Sequence, residues 1–433
     1  MTVYHNWQKR LYFFSLVGVL FTTLFSWFNA NSLCIMLMVI SRFLYHPVTG
    51  LKTAFSNRIF LTFLAYCLIG ATGFLYTHDT VNQAKTVSRE ATLVAITLVW
   101  AAGEWPSEKA YQKLLTWYYG LVVASSGYCL LIACRNYRLT GDGSFFFYHS
   151  LTRPISHNAV FYSVYVVFGL LFLLSPSGKP IVRGLSERGT KVLRGVIAAF
   201  FLGMILLLSS KLMLVIALLL VIHALLRRYS FRRHKWIILG AGACLVTALS
   251  LLAMTDNPIS KRYRDMEGDL ALVHQRVFRP DQYFNPLQLR LLEWRFAGEI
   301  MRDHHSWLFG VTPGDSQDLL DTTYVHMHMY VGDPKDGPNR HIRGFIGYNF
   351  HNQYLETTVR SGLLGLAALL FIFAALIAAA RLHGTRESWF VILILAVFFI
   401  PEAPLTLQHG VFLFCFFPLL ALSGPPGLLD HRP

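Results

Sequence analysis

Runs of about twenty apolar residues recur along the whole chain, and they limit its fold more than any other feature. LYFFSLVGVLFTTLFSWF begins at Leu11, SSKLMLVIALLLVIHALL at Ser209 and LAALLFIFAALIAAA at Leu366. A bilayer's hydrocarbon core is crossed by about 20 such residues in a helix. Inside lipid, backbone N–H and C=O groups must pair within the chain, which leaves helices or closed barrels as spanning structures. Unbroken apolar runs of this length predict helices. Composition agrees: the 433 residues are 54% hydrophobic and 14% charged, against roughly a quarter charged in soluble domains. The prediction is an all-α polytopic membrane protein, which excludes the soluble enzyme classes.

Spans are predicted from near Leu11, Asn31, Ile59, Leu115, Asn158, Leu193, Lys211, Trp236, Gly362, Trp389 and His409, with a shorter one, ATLVAITLVWAAG, from Ala91. That makes about twelve. Lys9 and Arg10 before the first run imitate a signal peptide, but the run is long for one and a second apolar run follows, so a retained helix is expected. The link RRYSFRRHK (227–235) is the most basic and is assigned to the cytoplasm by the positive-inside rule. Counting spans from it places GKPIVRGLSERGTK, RLHGTR, LKTAFSNR and the N-terminal QKR on the same side, which supports twelve over eleven or thirteen and puts both termini inside. Much of the formal net charge of +15 lies in these links, where it also meets anionic lipid. The six cysteines show no paired spacing, so neither a disulfide framework nor a thiolate metal site is expected.

On this reading residues 1–254 hold helices one to nine, 255–360 form a large, partly helical extracytoplasmic domain, and 361–433 hold helices ten to twelve. Within the middle segment, NPLQLRLLEWRFAGEIMRDH has helical periodicity, with Leu287, Leu291, Trp294, Ala297 and Ile300 spaced for one face.

The residues suited to chemistry gather at the end of that segment, in YNFHNQYLETTVRSGLLG (348–365). As a helix this stretch would put His351, Tyr354, Leu355 and Thr358 on one face. It would also pair Glu356 with Arg360 at i,i+4, worth a few tenths of a kcal/mol, and let a neighbouring helix approach at Gly362 and Gly365. The plain reading is an interfacial cap with a packing motif. The chemical reading is a neutral His351 acting as base, oriented by Asn352 and Gln353. Cations are placed on the same side: Arg290 and Arg295 on the periodic stretch, Arg135, Arg138 and Arg153 in another loop, and Lys211 between two apolar runs. A single loop Arg is usually a solvated charge, but such a set suits an anionic ligand, phosphate above all. His326 and His328 in YVHMHMY read as loop rather than as a copper site, since no carboxylate or Cys accompanies them. DxD, HExxH and P-loop signatures do not occur, so nucleotide-sugar, zinc-protease and ATPase chemistries lack their usual handles. No metal, cofactor or nucleic-acid partner is expected.

The order of parts resembles the O-antigen ligase and O-antigen polymerase superfamily of bacterial envelope glycosyltransferases: a dozen spans, a large late periplasmic loop, and a closing H-[NSQ]…G-x-x-G motif. That motif is matched by His351-Asn352 and Gly362-Leu363-Leu364-Gly365. The segment RLLEWRFAGEIMRDHHSWLFGVTPGD is similar to the family's R…W…G-x-G segment through Arg290, Trp294 and Gly310, departing where Val311 to Asp315 replace a tighter glycine pair. SSKLM is similar to the family's Ser-Arg or Ser-Lys turn at Lys211. The resemblance implies a GT-C-like fold in the bacterial inner membrane, with the large periplasmic loop between helices nine and ten. It also implies metal-independent, inverting transfer of O-antigen from undecaprenyl pyrophosphate to the lipid A core. In that mechanism His351 would be the base, Arg290 and Lys211 would bind pyrophosphate, Arg138 and Arg153 would assist, and Asn352, Gln353, Tyr354 and Trp294 would support the site. An O-antigen polymerase, a protein O-oligosaccharyltransferase and a lipid-linked sugar flippase remain as alternatives.

Overall fold

The computed structural model describes residues 2–44, 47–103, 108–175, 185–228, 269–332, 344–383 and 385–424. Among them the regular elements are all helical. They are α1 (Thr2–Leu24), α2 (Phe28–Phe43), α3 (Pro47–Phe55), α4 (Arg58–Ala71), α5 (Thr80–Ala101), α6 (Glu108–Thr140), α7 (Tyr148–Thr152), α8 (Ala159–Leu174), α9 (Glu187–Leu208), α10 (Lys211–Arg228), α11 (Pro286–Asp303), α12 (Ser316–His326), α13 (Gln353–His383), α14 (Arg386–Phe398) and α15 (Gln408–Leu422). The span expected from Trp236, nearly all of the 227–235 basic link and part of GKPIVRGLSERGTK lie outside the described residues.

Four helices are long and apolar enough to cross a membrane: Arg58–Leu75, Glu108–Thr140, Glu187–Leu208 and Gln353–Leu382. Two bent pairs raise the number to six, one of them Tyr148–Ile155 with Ala159–Leu174, which meet at 81°. The protein is therefore a helical membrane protein with four to six candidate spans among its described residues, fewer than the dozen expected. Length accounts for much of the difference. Helices α8, α14 and α15 contain 16, 13 and 15 residues. At about 1.5 Å per residue they reach only about 20–24 Å, short of a core of about 30 Å.

Two of those short helices, α8 and α15, form the centre of the bundle. α8 and α15 are apolar on every side and buried along almost their whole length, the pattern of a helix surrounded by protein. Phe417 of α15 packs its ring against Tyr118, Tyr165 and Phe168. The phenol groups that come with these rings are satisfied internally. Tyr165 donates to the carbonyl of His409 at 2.8 Å, and the Tyr162 hydroxyl pairs with Ser125 Oγ at 2.6 Å. Helix α13 runs beside α4, α14 and α11, and so joins the bundle to the segment that carries the site.

That segment has a core of its own, in which Phe278, Leu292, Phe296, Ile300, Leu320, Tyr324, Phe350 and Val359 are buried together under α11 and α12. The buried face of α11 is offset from the one predicted. It carries Gln288, Leu292, Glu293, Phe296, Ala297, Ile300 and Met301, while Leu287 is exposed. Apolar spacing alone could not separate the two faces, because Leu occurs on both.

Helix α13 is broken where the sequence suggested a helix-packing pair. Ser361 and Gly362 leave helical geometry, with Gly362 at φ 64° and ψ −166°. The loop Ser306–Thr312 fills the gap. Leu363 N–H donates to the carbonyl of Trp307 at 2.8 Å and Leu364 N–H to that of Leu308 at 3.3 Å, while Val311 and Thr312 donate to the carbonyls of Val359 and Arg360 at 2.8 and 3.1 Å. Backbone groups that a break would leave unpaired are thereby satisfied. A Cβ on Gly362 would stand 2.2 Å from the Leu308 carbonyl carbon, and one on Gly310 2.5 Å from that of Arg360. Gly362 thus admits a loop rather than a neighbouring helix, and a Cβ on Gly365 would meet the Cβ of Ser361 at 2.4 Å, within α13 itself.

The turn Val311–Asp315 bolts this loop to the α4–α5 connection. Asp315 Oδ1 accepts from the N–H groups of Asp79 and His78 at 2.8 and 3.0 Å and from the Thr77 hydroxyl at 3.1 Å. Gly314 N–H donates to Gln83 Oε1 at 2.8 Å. Burial acts to raise the Asp315 pKa, but the donors of Asp79, His78, Thr312 and Thr77 outweigh it and hold it below the usual carboxylate value. Asp315→Ala is expected to cost about 1.5–3 kcal/mol, the range for hydrogen bonds to a charged acceptor, read as a lowered thermal midpoint in detergent. Because the folded pKa is depressed, this contribution is present above the unfolded value of about 3.9 and fades as pH falls through the folded one. The gap between wild type and variant should therefore narrow in acid.

Candidate active site

The site starts at the N-terminus of α11. Asn285 and Gln288 form a reciprocal capping box: Asn285 Oδ1 accepts from Gln288 N–H at 2.8 Å, and Gln288 Oε1 accepts from Asn285 N–H at 2.9 Å. Pro286 occupies the first turn, where its missing N–H costs nothing. The cap fixes the helix so that Arg290 and Glu293, one turn apart, reach the two chain segments that flank α13 and α14.

Glu293 is completely buried, and its carboxylate is held from both sides. The Tyr324 hydroxyl donates to Oε1 at 3.2 Å, and Oε2 lies 2.8 Å from His351 Nδ1. His351 is not helical. It sits one residue before Asn352, at φ 45°, in the left-handed region that costs a non-glycine residue free energy and recurs at functional sites. Its N–H donates to Asn349 Oδ1 at 2.9 Å, and Nδ1 also lies 3.1 Å from the Asn349 carbonyl oxygen. Both partners of Nδ1 are acceptors, so Nδ1 carries the proton and Nε2 is the nitrogen left to act. The side chain remains a quarter exposed.

Burial alone would lower the His351 pKa. The negative charge of Glu293 and its hydrogen bond, then Glu402, outweigh that, and the pKa is raised above the imidazole value. The Glu293 pKa is raised as well, mainly by burial, against the lowering effects of His351, Tyr324 and Arg290. The buried carboxylate thus works in favour of the imidazolium, and the neutral base expected from the sequence is the form present above the raised pKa.

Arg290 lies alongside. Its Nη2 donates to Glu402 Oε1 at 2.9 Å, Nε to the Pro401 carbonyl at 3.0 Å and Nη1 to the Pro286 carbonyl at 3.2 Å. Three of the five N–H donors of a guanidinium are thus used to hold it, and the side chain is about a quarter exposed, at 27%. The residues expected to orient His351 do other work. Asn352 Oδ1 caps α13 through Leu355 N–H at 3.1 Å, and Gln353 Oε1 accepts from Leu405 N–H at 2.8 Å. Tyr354 donates to the Ala396 carbonyl at 2.8 Å. Trp294 is half-buried. Behind the histidine, Glu356 Oε2 accepts from Phe350 N–H at 3.2 Å while its Oε1 lies 2.6 Å from Arg360 Nη2. This ion pair is buried, so losing one partner would cost several kcal/mol rather than the few tenths of an exposed pair. Asn349 is steadied through Thr406, whose carbonyl accepts from Arg89.

Arg290 and His351 are thus brought together around Glu293. Arg135, Arg138 and Arg153 are exposed outside this hydrogen-bond chain, and Lys211 opens α10, half-buried, beside the left-handed Ser209. Arg295 binds the carbonyls of Val273 and Gln275. Sequence reasoning missed Glu293, Tyr324, Asn349 and Glu402. Glu293 did leave a trace, as an acid set among Leu292, Phe296 and Ala297 on the buried face of α11; the other three gave none.

Residues 196–370 match the family model described as O-antigen ligase. Over that region the chain is similar to the O-antigen ligase family. No curated protein matches the sequence. The ligase-family match takes in Arg290, Glu293 and His351 together with the Gly362 break and Lys211. It leaves Arg138, Arg153 and Glu402 outside. Glu402 nevertheless completes the Arg290 contact, so the cluster draws one of its groups from the α14–α15 connection, beyond the matched region.

Proposed function

We propose that the protein is a glycosyltransferase of the inner membrane that moves O-antigen polysaccharide from undecaprenyl pyrophosphate to the lipid A core on the periplasmic face. The observation that carries this is the 2.8 Å contact of His351 with a fully buried Glu293 beside Arg290, inside a ligase-family match. An acceptor hydroxyl attacks the anomeric carbon, the bond from that carbon to the pyrophosphate oxygen breaks, and the configuration inverts. The hydroxyl proton passes to His351 Nε2, and Glu293 stabilises the imidazolium that forms. Pyrophosphate is already a good leaving group, so the remaining task is to stabilise its charge. Arg290 supplies a fixed cation for that, with Lys211 as a second one and Arg138 and Arg153 as weaker ones. The finer architecture belongs to the same proposal: about twelve spans, a GT-C-like arrangement, residues 255–360 as the periplasmic catalytic domain, and no metal.

The test is a lipopolysaccharide gel of cells lacking the protein, with extraction of their polyprenyl-linked glycans. Bare core on the gel, with long polymer stranded on the carrier, is the expected result. Core bearing a single repeat would reassign the chain as a polymerase. An unchanged pattern in both fractions would reject both, leaving transfer to protein or transport of a lipid-linked sugar.

A further inference from the structure

The loop that patches the break in α13 is unusually apolar for a connection outside the membrane. Trp307, Leu308 and Phe309 are each about half exposed, at 49%, 51% and 57%. A loop in water has no reason to present three such side chains in a row, and their backbone bonds fix their height. Trp307 and Leu308 accept from the N–H groups of Leu363 and Leu364, both of which are also exposed. From Leu363 to Ala380 the helix carries no charge before Arg381. At about 1.5 Å per residue that run covers about 27 Å, nearly the whole hydrocarbon core. Leu363 therefore marks the boundary of the hydrocarbon on the side of the site. A second span ends at the same place. Phe74 and Leu75, at the end of Arg58–Leu75, are exposed, and Tyr76 donates its hydroxyl to the Phe309 carbonyl at 2.8 Å.

We infer that Trp307–Phe309 is a wedge seated in the bilayer, its side chains among the lipid acyl chains at the interface. The partner is the lipid itself, and continuity with the exposed apolar surfaces of two spans identifies it. Aromatic residues are enriched at that depth because their rings suit the headgroup boundary. One consequence is the height of the active site: residues 353–360 rise by at most about 12 Å, so His351 is held just above the boundary that the wedge defines. The inference concerns placement and does not depend on the reaction proposed above.

Tryptophan emission in phosphatidylcholine nanodiscs tests it. The emission of wild type minus that of Trp307→Phe isolates one indole. Lipid brominated near the glycerol end of its chains is expected to remove most of this difference emission, lipid brominated near the methyl end less of it, and aqueous iodide little. Phe309→Trp in the Trp307→Phe background repeats the measurement two residues along, with the same ranking expected. Difference emission untouched by either lipid and quenched by iodide would place the loop in water and overturn the inference. Strongest quenching by bromine near the methyl end would also overturn it, because the loop would then lie in the bilayer interior.

Discussion

Both His351→Ala and Glu293→Gln are expected to lower transfer by on the order of 10²–10⁴-fold, the usual contribution of a positioned base and its orienting acid, while the protein still inserts and folds. Alanine removes the nitrogen that, in the proposed mechanism, takes the acceptor's proton. Glutamine keeps the volume of a completely buried side chain but removes the charge opposite the imidazolium. The two variants differ in a way that separates chemistry from packing. Glu293 is what raises the His351 pKa against burial, so the rising limb of kcat/KM with pH should lie above the free imidazole value of about 6.5 in wild type. In Glu293→Gln the burial effect remains with only Glu402 against it, and the limb should move to lower pH while the plateau falls. A role for Glu293 confined to packing would leave the limb in place. Arg290→Ala is expected to act on the donor side, with turnover lost through the leaving group and the limb moved to higher pH, because the Arg290 cation lowers the His351 pKa.

How much of this was visible in the sequence depends on how far apart the interacting residues are. Helical character was legible because it is local: apolar runs at Ile59, Leu115, Leu193 and Gly362 each lie on a helix long enough to span. The runs at Asn158, Trp389 and His409 are equally apolar, but their helices are too short alone, the first reaching span length only with the bent Tyr148–Ile155 segment, and hydropathy does not distinguish a lipid-facing helix from one wrapped in protein. His351 and Arg290 were singled out by their motif, and the structure brings them to one place through Glu293 and Glu402. What orients them was not legible, because Glu293 acts across 58 residues and Glu402 across 112, a separation that no spacing rule reads. The assignment of Asn352 and Gln353 to His351 failed for a related reason. It assumed a helix through His351, whereas α13 begins two residues later and uses Asn352 as its cap.

Gly362→Ala should be the most damaging substitution outside the His351–Glu293–Arg290 cluster, with a loss of about 3 kcal/mol or more and a matching loss of activity. Its dihedrals, φ 64° and ψ −166°, lie in a region essentially closed to residues with a Cβ. The added methyl would also stand 2.2 Å from the carbonyl carbon and oxygen of Leu308. Those are backbone atoms, so no rotamer change relieves the clash. Relief requires moving the Ser306–Thr312 loop, which breaks the four bonds that satisfy the helix gap and shifts Val359 and Arg360, directly below Glu356 and the His351 turn. Gly310→Ala strains the same contact from the other side, so the double variant should cost little more than either single one, since neighbours sharing one contact do not add. Gly298, on α11, provides the comparison: a Cβ added there would meet nothing within 4 Å, and an alanine should stabilise the helix by roughly 0.5–1 kcal/mol. Thermal midpoints of wild type and these variants in detergent decide the matter. A Gly362→Ala protein melting with wild type would mean that the break is not held by the loop and that α13 can close into a continuous helix.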